Sequence, residues 1–200
     1  MLSVNNVSLC FSHVALFSQL TIAIPEKRVV ITGENGSGKT TLLLLAAGLM
    51  QPDSGVIQFN QLSVNSIETK SRIGISANKI TLPTFFSAQE LLTFHCHMHK
   101  CKLDLNMAHA LGLTPFLQTK VADLSLGNYK KLSLLTALLH KPELLLLDEP
   151  TNGLDNDARN AMNTILNAFT GQLIIASHDT ALLTVPFERE IPMQQIRSIS

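Results

Sequence analysis

The chain has 200 residues, 46% hydrophobic and 15% charged, which is enough to bury the core of one domain. That balance excludes an intrinsically disordered chain, which needs low hydrophobicity and high net charge. A formal net charge of zero argues against a nucleic-acid-binding surface, which carries a basic excess, and favours association with a protein partner.

In chain order, Leu2–Leu9 and Leu20–Ile24 carry alternating apolar residues and are expected to be strands. Arg28–Thr32 is a short β-branched run that ends at Gly33, the pattern of a buried strand. A helix is predicted from Lys39 to about Ala47, stopped by Gly48 and Pro52. Gly55–Phe59 and Arg72–Ser76 add two strands. A helical pattern rich in histidine and cysteine runs from Ala88 to Gly112. A further helix spans about Gly127–His140 and ends before Pro142. Leu144–Leu147 is continuously apolar, as a strand buried on both faces would be. Asp155–Phe169 has the pattern of an amphipathic helix and Gln172–Ser177 that of a buried strand; beyond Pro186 there is no strong signal.

Strands alternating with helices predict an α/β core with a mostly parallel sheet. No apolar run reaches the ~18 residues of a membrane span, and the first residues lack the pattern of a secretory signal. A cytosolic protein is therefore expected. Three cysteines, Cys10, Cys96 and Cys101, are an odd number that does not read as a disulfide framework.

Two motifs carry chemistry. Gly33-Glu34-Asn35-Gly36-Ser37-Gly38-Lys39-Thr40 fits the phosphate-binding pattern G-x-x-x-x-G-K-[ST], between a predicted strand and a predicted helix. Its glycines let backbone N–H groups face phosphates, and the helix N-terminus adds positive potential. Lys39 is expected to reach the β- and γ-phosphates and Thr40 to ligate Mg²⁺, with Thr41 beside them. The second motif is the apolar strand that ends in Asp148-Glu149. At the carboxyl edge of such a sheet a ligand crevice opens. Asp148 is placed to hold Mg²⁺, directly or through water, and Glu149 to polarise the attacking water.

With these pieces in place the chain resembles the ATP-binding cassettes of ABC transporters over nearly its whole length. Leu124-Ser125-Leu126-Gly127-Asn128 resembles the family signature, Asn152-Gly153-Leu154-Asp155 the D-loop, and His178 the switch histidine. Phe11 sits where the family often stacks an aromatic on adenine. The resemblance implies one cassette over residues 1–200. This would be a P-loop NTPase core with a mostly parallel sheet, an N-terminal antiparallel β subdomain and a small helical subdomain over roughly 79–126. It also implies an ATPase coupled to transport, with ATP and Mg²⁺ as ligands. Two cassettes would close head to tail around two ATP molecules. Ser125 and Gly127 would meet the γ-phosphate bound to the partner, His178 would hold the phosphate and water in line, and Asp155 would link the two sites. Polytopic membrane subunits are the implied partners, met at the cytoplasmic face of the inner membrane, with no nucleic acid.

The sequence departs from the family pattern at Leu126 and Asn128 within the signature. It departs again at Asn78, which stands where the family's Q-loop glutamine contributes to the Mg²⁺ site and to coupling. Among the branches, Leu16-Phe17-Ser18, the compact helical segment and the L-S-x-G signature resemble the cassette of the cytochrome c maturation haem exporter. The alternatives are another small-substrate exporter, a soluble ABC ATPase, a weakly hydrolysing regulator and a P-loop kinase.

His95-Cys96-His97-Met98-His99-Lys100-Cys101 forms a separate cluster. On a continuous helix His95 and His99 share a face, as do His97 and Cys101. Each pair has metal-ligand spacing, but two ligands make an incomplete zinc site. The expectation is a half-exposed helix packed on a membrane partner.

Overall fold

A computed structural model describes residues 1–12 and 14–199, the last three of these by backbone alone. Strands β1 (Leu2–Phe11) and β2 (Val14–Ile24) form an antiparallel ribbon. β1 also pairs with β4 (Ser54–Phe59), and β4 with β5 (Leu62–Ser63), which gives a four-stranded sheet in the order β2-β1-β4-β5. Register shifts between Val4 and Val7 and between Val7 and Leu9 bend the ribbon.

The second sheet holds β3 (Arg28–Thr32), β6 (Ile73–Ser76), β7 (Leu144–Asp148), β8 (Gln172–Ser177) and β9 (Arg189–Pro192). Its order is β6-β7-β8-β3-β9 and every pairing is parallel. Parallel strands need crossovers, and buried crossovers demand apolar residues on both strand faces. The leucines of β7 satisfy that demand. Leu144 and Leu146 point into one core with α1 (Lys39–Ala46), while Leu145 and Leu147 point into a second core under the helical segment. Successive residues of β8 divide in the same way.

Helix α1 is buried nearly all round, from Thr41 to Ala46, because it packs on β7 and β8 and also meets β4. A helix of four consecutive leucines suits that position and would be insoluble as a surface helix. Downstream come α2 (Ile67–Lys70), α3 (Ala88–Met98), α4 (Asn106–Ala110), α5 (Leu126–Leu138), α6 (Asn156–Ala168) and α7 (Met193–Ile199). Ser87 opens α3 with a reciprocal capping box to Glu90, at 3.2 and 2.7 Å.

Three expectations are corrected. The helical pattern from Ala88 to Gly112 is two helices, because Lys100 takes a left-handed φ of +53° and stops α3. With Cys101 beyond that break, His97 and Cys101 do not share a helical face. The region after Pro186 holds β9 and α7, anchored by the fully buried Ile191, Met193 and Ile196. The second strand begins at Val14, before the apolar alternation becomes regular.

Gly74 shows how tightly α5 lies on β6. A Cβ at that position would stand 2.0 Å from the Ala137 carbonyl oxygen. Backbone cannot yield as a flexible side chain does. Gly74→Ala is therefore expected to cost at least about 1–3 kcal/mol, read as a lowered urea midpoint. A Cβ on Gly112, at φ +67°, would meet only the Lys131 ammonium, at an ordinary 3.9 Å, so Gly112→Ala should cost only the left-handed penalty of about 1–2 kcal/mol. Equal losses would show that the α5–β6 approach is not the constraint.

Candidate functional site

Three parallel strands end at one level. Thr32 pairs with Ser177 and Asp148 with Ala176, so β3, β7 and β8 deliver residues 33, 149 and 178 to one edge of the sheet. There the chain leaves a cleft of about 390 Å³, lined by Phe11, Asn35–Thr41, Asn78, Asp148 and Glu149 among others.

Gly33 to Gly38 form the loop between β3 and α1. Gly38 occupies the N-cap of α1 with a φ of +105°, a conformation that glycine adopts without the strain of a Cβ. Lys39 lies 5% exposed and folds back over the loop, donating to the carbonyl oxygens of Gly33 (2.6 Å) and Glu34 (3.1 Å). Its ammonium is 3.6 Å from Glu149 Oε1. The buried Ser37 hydroxyl has no partner.

At the end of β7 the Thr40 hydroxyl donates to Asp148 Oδ2 at 2.8 Å. Asp148 Oδ1 is buried without a partner. Burial raises the Asp148 pKa above the usual carboxylate value, against the pull of the Thr40 hydrogen bond. An ionised oxygen left unsatisfied beside a hydroxyl is the donor set a hard cation takes, so Thr40 and Asp148 fit Mg²⁺.

Glu149 has a left-handed φ of +47°, unusual for a residue with a side chain. Three groups fix the carboxylate. The His178 N–H donates to Oε1 (2.9 Å), His178 Nδ1 lies 2.8 Å from Oε1, and Ser177 Oγ lies 3.1 Å from Oε2, its one hydroxyl hydrogen shared with the Asp179 carbonyl oxygen at 2.7 Å. The strained backbone turns the carboxylate across the end of β8, where the His178 ring, 45% exposed, caps it.

The other residues singled out in the sequence lie apart from these. Ser125 caps α5 by accepting from the Asn128 N–H at 3.3 Å, and Gly127 packs so that a Cβ would meet the Gly153 carbonyl at 2.8 Å. Asp155 caps α6 through the Ala158 N–H (2.8 Å) and pairs with Lys131 Nζ (3.0 Å); these bonds hold its carboxyl below the usual range. None of the three lines the cleft. Phe11, 46% exposed, stands at the cleft rim beside Leu16. Asn78 lines the cleft, but its side-chain oxygen accepts from Lys130 Nζ, so in this conformation it is not offered to a cation.

Sequence reasoning missed Lys130, whose ammonium is attracted by Asp148 and Glu149 while burial lowers its pKa. It also missed Ser177, the buried second support of Glu149. Lys130 sits two residues after the signature-like Asn128, a spacing that does not share a helical face, so no local signal marked it.

A family model described as ABC transporter matches residues 5–152. A zinc import ATP-binding protein from Buchnera aphidicola subsp. Baizongia pistaciae is 28% identical over 200 residues, which is 95% of this chain and 79% of that protein. An ergothioneine transport ATP-binding protein from Helicobacter pylori (strain G27) is 28% identical over 190 residues, 88% of this chain and 89% of that one. Among solved structures, a dimeric post-hydrolysis ATP-binding cassette bound to ADP and phosphate superposes with a TM-score of 0.81. That match is at 22% identity over 96% of this chain and 94% of that one, a likeness of fold.

Asp148 gives the site a stability signature. Its folded-state pKa is raised, so its contribution is fully present below the unfolded value and is lost as pH rises through the folded value. At neutral pH the ionised form is the costly one. Asp148→Asn should therefore raise the melting temperature of the nucleotide-free chain by a few degrees in a fluorimetric melt. A lower melting temperature would mean the carboxylate is net favourable where it stands.

Proposed function

This chain belongs to the ABC transporter family, in its ATP-binding part, and on that premise we propose how its residues divide the work of binding and hydrolysing ATP. The reading rests on one observation above the rest: Lys39, Asp148, Glu149 and His178 meet at the carboxyl edge of one parallel sheet. The backbone N–H groups of residues 33–38 would cradle the phosphates at the α1 N-terminus. Lys39 would exchange its two loop carbonyls for β- and γ-phosphate oxygens, and Phe11 would stack on adenine.

Thr40 and Asp148 would hold Mg²⁺, which when bound neutralises charge developing on the transferred phosphate. Asn78 joins them only if Lys130 releases it. Glu149 would take a proton from the attacking water, oriented by Ser177 and the His178 N–H. Moving Lys39 onto the nucleotide would take its ammonium away from the Glu149 carboxylate. The His178 ring would hold water and γ-phosphate in line. Ser125 and Gly127, exposed to a partner at the head of α5, would complete the site of a second cassette packed head to tail, with Asp155 as the link between sites. The chain would be a single cassette whose helical subdomain, about 79–126, faces the membrane subunit.

For cargo we carry forward haem export in cytochrome c maturation, with small polytopic membrane proteins as partners at the cytoplasmic face of the inner membrane. Its support is the Leu16-Phe17-Ser18 phrase, the compact helical segment and the L-S-x-G signature. Relatives at 28% identity are named for zinc import and ergothioneine transport, so cassette sequences at that distance do not fix a cargo. No helix among the described residues is long and apolar enough to cross a membrane; we propose attachment through the partner subunits.

Glu149→Gln is expected to keep ATP binding and to lower turnover at least about 100-fold, accumulating an ATP-bound dimer in size-exclusion chromatography. Turnover at the wild-type rate would remove Glu149 from its role. Affinity capture of the chain from gently solubilised membranes is expected to bring down cytochrome c maturation membrane proteins. Recovery of a different permease would replace the cargo and leave the ATPase intact.

A further inference from the structure

Away from the nucleotide cleft, α3 and α5 bring three imidazoles together. His95 and His99 stand one turn apart at the end of α3, with ring centroids 4.4 Å apart and nearly parallel. His140, just past the end of α5, stacks on His99 at 4.1 Å. One ring nitrogen from each lies within 4.8 Å of the others, and all three residues are half-buried. The sequence presented only the pair on α3; the third ligand arrives from 41 positions after His99 by way of the fold.

The hydrogen bonds define the tautomers. His140 Nε2 lies 3.2 Å from the Ile73 carbonyl oxygen, which accepts only, so Nε2 carries the proton. Nδ1, then without a proton, lies 3.1 Å from His95 Nε2 and accepts its hydrogen, and the Thr136 backbone also interacts with the His140 ring. A ring nitrogen freed for ligation by a backbone carbonyl on the opposite nitrogen is the arrangement found around protein-bound metals.

We propose that His95 Nε2, His99 and His140 Nδ1 form a binding site for a late first-row divalent cation, of which Zn²⁺ is the reference case. Three nitrogens on one ion at normal Zn–N lengths lie about 3.3 Å apart. The His95–His140 pair is already at that separation, and a ring rotation of His99 closes the rest. When the ion binds, the proton on His95 Nε2 passes to its Nδ1, so neutral imidazoles ligate and no net charge leaves the cluster. An all-nitrogen set selects against Mg²⁺ and Ca²⁺, which take oxygen. Three protein ligands leave a coordination position for water.

The site bridges α3 to the end of α5. Through the Ile73 carbonyl it also reaches β6, the strand that runs to Asn78. An ion there would cross-link the helical segment to the sheet edge that carries the cleft, and so limit their relative motion. The cluster and its assignment are independent of the catalytic roles given to Lys39, Asp148 and Glu149.

The test uses the full chain without an affinity tag, stripped with chelator and free of nucleotide. Titration with Co²⁺ should give one saturable equivalent with the visible bands of a tetrahedral nitrogen-ligated ion and no thiolate charge-transfer band. Zn²⁺ should displace it and raise the melting temperature. His99→Gln, which leaves the His140–Ile73 bond untouched, should weaken Co²⁺ binding at least about tenfold, and His140→Asn likewise. His97→Gln, whose ring faces the neighbouring groove, should bind as the parent does. Absence of a saturable equivalent in the parent would overturn the proposal. So would unchanged affinity in a folded His99→Gln variant, or a charge-transfer band that vanishes in a Cys96→Ser, Cys101→Ser double variant, which would move the ion to the thiols.

Discussion

The site depends on the register of three parallel strands. β3, β7 and β8 are locked so that Thr32 lies beside Ser177 and Asp148 beside Ala176, and the functional residues leave the sheet together. What enforces the register is apolar burial on two sides. Each leucine of β7 is fully buried, with even and odd positions committed to different cores. A slip of one residue would exchange the two sets and move Asp148 off the edge, at a cost spread over both cores. The chemistry is thus positioned by residues that take no part in it.

Against that frame the acids are held under tension. Glu149 keeps a left-handed backbone because Ser177, the His178 amide, the His178 ring and Lys39 all converge on its carboxylate. Asp148 stays buried with one oxygen unsatisfied. Both arrangements are unfavourable for the empty chain, the kind of strain that functional sites retain at the expense of stability. Lys39 joins the phosphate loop to Glu149: it touches the loop carbonyls and the carboxylate at once, so any movement of its ammonium changes the surroundings of both.

Much of this was legible in the residues. The glycine loop, the Leu144–Leu147 run and its two acids read correctly because each is local: spacing alone puts them on a strand end or a helix start. The even distribution of apolar residues in β7 also gave away burial on both faces. What was not legible depends on distant chain. β9 has a single buried residue, Ile191, in a polar stretch, and nothing within it announces a strand; it exists because β3 offers an unpaired edge. Helix α3 ends at Met98 although its apolar pattern continues. Asn78 reads as a cation ligand until Lys130 arrives from α5. His140 reads as the polar end of a helix until α3 packs beside it.

The phosphate loop also leans on the far end of the chain. A Cβ on Gly33 would lie 2.8 Å from Met193 Cβ, and one on Gly38 would lie 3.2 Å from the Met193 terminal methyl. Pro192 and Met193 wall the second cavity beside the loop. During synthesis, residues 33–40 leave the ribosome roughly 150 positions before the segment that buttresses them. A nascent chain therefore carries the whole phosphate motif long before that motif has its wall, and cannot hold nucleotide in its final geometry until β9 has docked. The N-terminal loop thus reaches its described surroundings only after the distant β9 and α7 have folded against it.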